Sequence, residues 1–169
     1  MDFQAIFDNF RTTVTEHYFD MNGRVGRSQF WYFVLAYFVF AILASILSTV
    51  FLPLAGLYGL AMLLPSAGMG ARRLQDIGRD GKLVWIFIVA AFVVQLSMVL
   101  TGFGALTMGW LGWLVFGPSL ALLFLLKIAL FVAGVVLIYF WCQPGDPGSN
   151  AYGPPPPVFD AAKRVSPTP

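Results

Sequence analysis

The polar residues with the most informative spacing lie in residues 72–82, with the sequence RRLQDIGRDGK, between two apolar segments. If the preceding helix continues to Ile77, Asp76 follows Arg72 by four residues and Arg73 by three, so all three share one helix face. Asp76 can then hold the two guanidinium groups in position to bind a lipid phosphate. Each basic residue contributes ~1 kcal/mol to binding at an anionic surface. Alternatively, the charges set the membrane topology and pair with one another, at ~0.3–0.5 kcal/mol for each exposed pair.

Two further polar motifs flank the apolar part of the chain. Residues 22–31 contain Arg24 and Arg27 immediately before the first long apolar segment, and residues 144–153 follow the last one. With an even number of membrane crossings, these motifs and residues 72–82 lie on the same side of the bilayer, so we predict that they converge in space. The candidate interaction residues are Arg24, Arg27, Arg72, Arg73, Asp76, Arg79, Asn150 and Tyr152.

Lys127 is the one charged residue inside a long apolar segment. A lysine near the bilayer centre costs ~2.5–3.5 kcal/mol on insertion scales. Snorkelling of the side chain toward the outer surface would lower this cost. The other interpretation is a polar pathway or ligand contact, in which the ammonium group is paired with a carbonyl, a serine, Gln95, water or another subunit.

The combinations of residues that mark the common enzyme classes are missing from this sequence. His17 is the only histidine and Cys142 the only cysteine, so no histidine–cysteine metal spacing exists. No phosphate-binding loop is present either. We therefore predict a protein that is not an enzyme and has no catalytic, cofactor-binding or metal-binding residues, and we expect no nucleic-acid partner.

The elements that must position these residues are apolar helices. Hydrophobic residues make up 59% of the 169 residues and charged residues 11%, whereas a soluble domain carries about 25% charged residues. A soluble fold of this size could not bury so much apolar surface. We predict an all-α polytopic membrane protein with four transmembrane helices at about 30–51, 54–71, 83–101 and 119–141.

Three parts follow from this pattern. Residues 1–22 form an amphipathic N-terminal segment that lies in the membrane interface or packs on the protein itself, and residues 23–142 form the four-helix transmembrane domain. Residues 143–169 form a cytoplasmic tail rich in proline and glycine, predicted to be extended or disordered. Within the second part, residues 102–118 contain five glycines and Pro118, which favours an outer loop or a shallow re-entrant piece.

The positive charges predict the orientation in the membrane. Nine of the ten lysines and arginines fall on one side of a four-helix arrangement, and the connections near Pro53 and through 102–118 contain none. By the positive-inside rule, that side is the cytoplasm and both termini are cytoplasmic. The first span is expected to act as an uncleaved signal-anchor, because Asp2 and Asp8 stand where a signal peptide carries positive charge.

The three polar motifs follow the patterns Gly-Arg-x-x-Arg-x-x-Phe-Trp, Arg-Arg-Leu-x-Asp-x-Gly-Arg and Pro-Gly-x-x-Gly-x-Asn-x-Tyr-Gly, in this order. Together they resemble domain of unknown function 805 (DUF805), a family of small bacterial inner-membrane proteins, over roughly residues 20–155. The resemblance implies a bacterial cytoplasmic membrane and no particular activity. The matching residues are Gly23, Arg24, Arg27, Phe30, Trp31, Arg72, Arg73, Leu74, Asp76, Gly78, Arg79, Pro144, Gly145, Gly148, Asn150, Tyr152 and Gly153.

Two functions lead after these exclusions, and an intramembrane enzyme is a distant third. The leading hypothesis is a non-enzymatic interaction or assembly protein whose cytoplasmic motifs contact a membrane-protein partner, a second copy of the chain or anionic lipid headgroups. The alternative is a small oligomeric transporter or channel that uses Lys127 and residues 102–118. The first is favoured because the polar motifs gather at one membrane face instead of lining a path through the bilayer.

Overall fold

The computed structural model describes residues 3–50 and 53–159, in which the regular secondary structure consists of helices, with no β-strand. Four of the helices are long and apolar enough to cross a membrane. The prediction of an all-α fold with four transmembrane helices is therefore confirmed. The helices are α1 (Phe3–Thr15), α2 (Arg27–Leu47), α3 (Leu54–Asp76), α4 (Lys82–Thr107) and α5 (Gly109–Cys142).

The described residues form two compact units. Unit 1 contains α1, α2, α3 and the chain from Trp141 onwards, and unit 2 comprises residues 82–140 in α4 and α5. The core of unit 1 is formed by Val25, Phe30, Phe33, Met62 and Met69, with Trp141 packed against it. Aromatic and thioether side chains of this kind bury a large apolar area each.

Helix α1 packs on the other helices of unit 1 through a face that combines apolar and polar residues. Its buried residues are Ile6, Asn9 and Thr13, which follow one another at helical spacing. The two polar ones are satisfied, because Asn9 Nδ2 donates to the Gln29 carbonyl at 3.0 Å and Thr13 Oγ1 donates to the Asn9 carbonyl at 2.8 Å. Phe10 and Val14 of α1 pack against the core of unit 1, whereas Phe7 is half exposed.

In unit 2, the interpretation of residues 102–118 as a loop is wrong. Helix α4 continues to Thr107, α5 begins at Gly109 and passes through Pro118, and Met108 alone separates them. Gly109 turns the chain with a φ of +61°, a conformation that costs glycine little. The other glycines belong to helices, as glycine often does in membrane spans, so they do not mark a loop.

The segment that follows α5 is ordered against unit 1 through Phe159. The Phe159 ring lies 5.8 Å from the Tyr32 ring and packs against the buried pair Ile6 and Ala36. The tail is predicted to be extended or disordered, and residues 155–159 lie outside any helix or strand, as an extended segment does, with the aromatic side chain at the far end of the prolines packed on an apolar partner. Lys163 and Arg164, which enter the charge count, lie outside the described residues, as does Phe51 at the predicted end of the first span.

Candidate functional site

Helix α3 carries the centre of the candidate site in its last turn. It continues five residues beyond the predicted end at 71, so that Arg73 and Asp76 form an ion pair within one turn. Arg24 reaches the same carboxylate from the segment before α2, with Nε donating to Asp76 Oδ1 at 3.0 Å. The side chains of Arg24, Arg73 and Asp76 are 1%, 0% and 4% exposed. We call these three residues the buried arginine cluster.

Backbone carbonyl groups supply the remaining acceptors of this cluster. Arg73 donates from Nε to the Trp141 carbonyl at 3.0 Å and from Nη2 to the Gln143 carbonyl. Arg24 Nη1 donates to the Gly148 carbonyl at 2.6 Å, and Nη2 donates to the carbonyl of Asp146. Two guanidinium groups face one carboxylate, so the excess positive charge is offset by carbonyl dipoles. One of these carbonyls, that of Trp141, lies in the last turn of α5, where carbonyl groups lack intrahelical partners.

We call residues 143–153 the exit loop. Its backbone and the Asn150 side chain form hydrogen bonds with the end of α3. The Asp146 N–H donates to the Asp76 carbonyl at 2.8 Å. Asn150 Nδ2 donates to the Gln75 carbonyl and to Asp146 Oδ2, both at 2.9 Å. The exit loop therefore caps α3 by pairing carbonyl groups that a helix end otherwise leaves to water.

Two glycines make this close approach possible. A Cβ added at Gly145 would collide with the Asp76 carboxylate. Gly78 has a φ of +71°, and its added Cβ would lie 3.1 Å from Asp146 Oδ2. The left-handed conformation at Gly78, two residues after the end of α3, is the one that glycine commonly adopts after a helix.

Arg72 does not join the cluster, contrary to the prediction that Asp76 holds both arginines. Its Nη1 atom lies 3.6 Å from Asp20 Oδ2, and its Nη2 atom donates to Met69 Sδ at 3.2 Å. Arg72 is buried, and its Nε atom has no hydrogen-bond partner within the part of the chain that is described. The two consecutive arginines point in different directions because a helix turns by about 100° per residue.

Of the other predicted residues, Arg27, Arg79 and Tyr152 belong to unit 1, as the cluster does, and Lys127 does not. Arg27 is exposed and lines a groove of about 260 Å³ between the first turn of α2 and residues 155–159. Arg79 is exposed on the turn that follows α3. Tyr152 contributes its backbone N–H, which donates to Asn150 Oδ1 at 2.9 Å. Lys127 belongs to unit 2 and is bonded there to Gln95 at 2.7 Å.

Sequence reasoning missed two aspartates that contact the arginines of this site, Asp20 and Asp146. For Asp20 a signal exists, because its negative charge follows the amphipathic N-terminal segment and is predicted to lie on the same membrane side as the arginine-rich residues 72–82. The acceptor carbonyls of residues 141–148 carry no side-chain signal and could not be found from residue types. Among the described residues, no group of three or more histidine, cysteine or acidic side chains is placed to hold a metal ion.

The sequence profile of one protein family spans all three motifs. The family is described as "Protein of unknown function (DUF805)", and the match covers residues 18–154. The chain belongs to the DUF805 family. The match begins close to Asp20 and ends just beyond Gly153, so the buried arginine cluster and the exit loop both lie inside the DUF805 region.

Similar proteins in Escherichia coli strain K12 agree with this assignment. Inner membrane protein YhaI is 26% identical over 148 residues, which cover 85% of this chain and 92% of YhaI. Inner membrane protein YhaH is 26% identical over 151 residues, with the same coverage. The uncharacterized protein YiiR is 30% identical over 147 residues, which cover 83% of this chain and 88% of YiiR. No solved structure matches the chain.

Proposed function

We propose that this DUF805 protein is a non-enzymatic component of the bacterial cytoplasmic membrane that contacts anionic lipid headgroups at the cytoplasmic face. The membrane assignment is supported by the four apolar helices and by the relatives described as inner membrane proteins. The cytoplasmic orientation is supported by the nine positive residues on one side of the four-helix arrangement.

The observation that carries the proposal is that some arginines of the motifs are buried and bonded within the protein, whereas another is exposed. Arg24 and Arg73 are buried and bonded to Asp76 and to backbone carbonyls, so their role is to build the scaffold. Arg27 is exposed, although it lies only three residues after Arg24. The scaffold therefore fixes the position of α2 and presents the Arg27 guanidinium group to the membrane surface.

The groove beside Arg27 suits a phosphate-bearing headgroup. It is bordered by residues 26–29 in the first turn of α2, where the N-cap Gly26 provides no side-chain cap. The free N–H groups of a first helical turn favour an anion. Asp76 and Asp146 also border the groove, but their carboxylates already accept hydrogen bonds from Arg24 and Asn150.

Lipid titration of the purified protein tests this function. Short-chain phosphatidylglycerol should raise the melting temperature in mild detergent more than phosphatidylcholine does, because a ligand of the folded state stabilises it. Arg27→Gln should weaken phosphatidylglycerol binding by about fivefold, as expected for ~1 kcal/mol per basic residue. Arg11→Gln, which removes an exposed arginine from α1, is the matched control. Equal effects of both lipids on the unaltered protein would contradict the proposal.

We do not propose transport. That alternative depended on a loop or re-entrant piece at residues 102–118 and on Lys127 facing a polar path. The segment is part of two helices, and Lys127 is exposed and bonded to Gln95. Flux of ions through the purified protein in liposomes, lost in Lys127→Met, would revive the alternative.

A further inference from the structure

Unit 2 contains one polar pair in otherwise apolar surroundings. Lys127 Nζ on α5 donates to Gln95 Oε1 on α4 at 2.7 Å, and both side chains are exposed. Between Lys82 and Asp146 the chain has no other charged residue. The pair thus lies on the outer surface of two helices whose other exposed side chains are largely hydrophobic.

The pair lies deep in the apolar part of the bilayer. Gln95 follows Lys82, the first residue of α4, by 13 residues, which is about 20 Å along a helix axis. The hydrocarbon core is about 30 Å thick, so the amide is roughly two-thirds of the way across. Lipid phosphates lie outside this core, and the ammonium group is turned toward the neighbouring helix.

Gln95 cannot satisfy Lys127 on its own. An ammonium group has three N–H donors, and the amide oxygen accepts from one of them without neutralising the charge. A lysine at this depth carries a large insertion penalty, and charged residues inside membranes are generally paired with one another or with carbonyls. The exposed pair therefore lacks a counter-charge within the described part of the chain.

We propose that this surface binds a transmembrane helix of another protein that carries one carboxylate at the depth of Lys127. The carboxylate would pair with Lys127, while Gln95 holds the ammonium group in position. A second copy of this chain cannot supply the carboxylate, because residues 21–75 and 81–145 contain no aspartate or glutamate. Phe124 and Phe131, one helical turn before and after Lys127, are exposed and offer apolar contacts to such a helix.

A synthetic partner gives a defined test. The full-length protein is placed in phosphatidylcholine vesicles with a leucine-rich transmembrane peptide that carries one glutamate at the depth of Lys127, and association is measured by energy transfer. The glutamate peptide should bind about 3- to 30-fold more tightly than the same peptide with leucine, the range expected for one polar interaction in a membrane. A glutamine peptide, which keeps the shape but lacks the charge, should bind more weakly than the glutamate peptide.

Variants of the protein assign the effect to Lys127. Lys127→Met should abolish the preference for glutamate, and Lys127→Glu should invert it, so that a lysine peptide binds more tightly. Ser97→Ala is the control: it removes a polar group from α4 and should leave the preference for glutamate unchanged. Equal binding of the glutamate, glutamine and leucine peptides would overturn the proposal. So would self-association that depends on Lys127, or Lys127-dependent binding of phosphatidylglycerol without any peptide preference.

Discussion

At the residue scale, the position of Asp76 changes what its removal should do. If the ion pairs of Asp76 were exposed, each would contribute a few tenths of a kcal/mol to stability. In the structure it is 4% exposed and is the one carboxylate between the Arg24 and Arg73 guanidinium groups. Removing one partner of a buried pair leaves uncompensated charge, which typically costs ~3–5 kcal/mol.

We therefore expect Asp76→Asn to destabilise the fold strongly. The variant should show a lower melting temperature in mild detergent and a lower level in the membrane, because two buried arginines lose their anion. Glu16→Gln, which removes an exposed carboxylate at the end of α1, is the control and should behave like the unaltered protein. Normal stability of Asp76→Asn would mean that the carbonyl groups alone compensate both guanidinium groups.

Substitution by lysine should have different effects at Arg24, which precedes α2, and at Arg27, the first residue of α2. Arg24 uses three nitrogen atoms on Asp76 and on carbonyls of the exit loop, and lysine cannot reproduce this planar fork. Arg24→Lys should thus lower the free energy of unfolding by roughly 1.5–3 kcal/mol, the value of one lost charged hydrogen bond. Arg27→Lys keeps an exposed charge and should leave stability within about 0.5 kcal/mol, as thermal unfolding of both variants would show.

At the scale of elements, contact between the exit loop and α3 depends on glycine where the two backbones meet. Gly145 faces the Asp76 carboxylate, whereas Gly148 in the same loop has open space where a Cβ would be. Both positions lack a positive φ, so alanine changes only the space required.

Gly145→Ala should therefore destabilise the protein by about 1–3 kcal/mol, as overpacking does, and Gly148→Ala should be nearly neutral. Limited proteolysis of the exit loop is the second measurement. Cleavage should become faster in Gly145→Ala because the loop can no longer dock on α3. If the two variants were equally stable and equally resistant, the exit loop would not be held by Asp76.

Much of this arrangement could be predicted from residue types and spacing. The apolar segments predicted the four long helices, and the motifs beside helix ends predicted that the segment before α2, the end of α3 and the exit loop meet. The choice of Arg24 over Arg27 as the partner of Asp76 could not be predicted. It goes with backbone pairing before α2, where the Val25 N–H donates to the Arg72 carbonyl at 3.3 Å.

The errors have a common physical cause. Glycine and proline break helices and favour disorder in water more than they do in a membrane or beside a packed aromatic ring. In unit 2, α4 and α5 pass through most of residues 102–118 because the bilayer penalises unpaired backbone groups. In unit 1, residues 155–159 are held because Phe159 packs on Ile6 and Ala36.

At the scale of the whole molecule, the two units place their polar groups differently. Unit 1 gathers them where α2 begins and α3 ends, in a cluster that is satisfied by the chain itself. Unit 2 keeps one charge in the middle of its apolar helices, with a neutral partner. Unit 1 is thus proposed to act at the membrane surface and unit 2 within the bilayer, and both proposals depend on four crossings.

The four-span topology predicts the side of each connection. Reporter fusions after residues 56, 80, 110 and 169 should give outside, inside, outside and inside signals, because nine positive residues lie on one side and none in the connections between α2 and α3 or between α4 and α5. The fusion after residue 110 is the most informative test of the number of crossings, since it follows α4 and precedes nearly all of α5. An inside signal there, or an outside signal at the C-terminus, would contradict four crossings. A reversed pattern at all four positions would keep the crossings and place Arg27 and its groove on the outer surface, where the proposed contact with cytoplasmic headgroups is impossible.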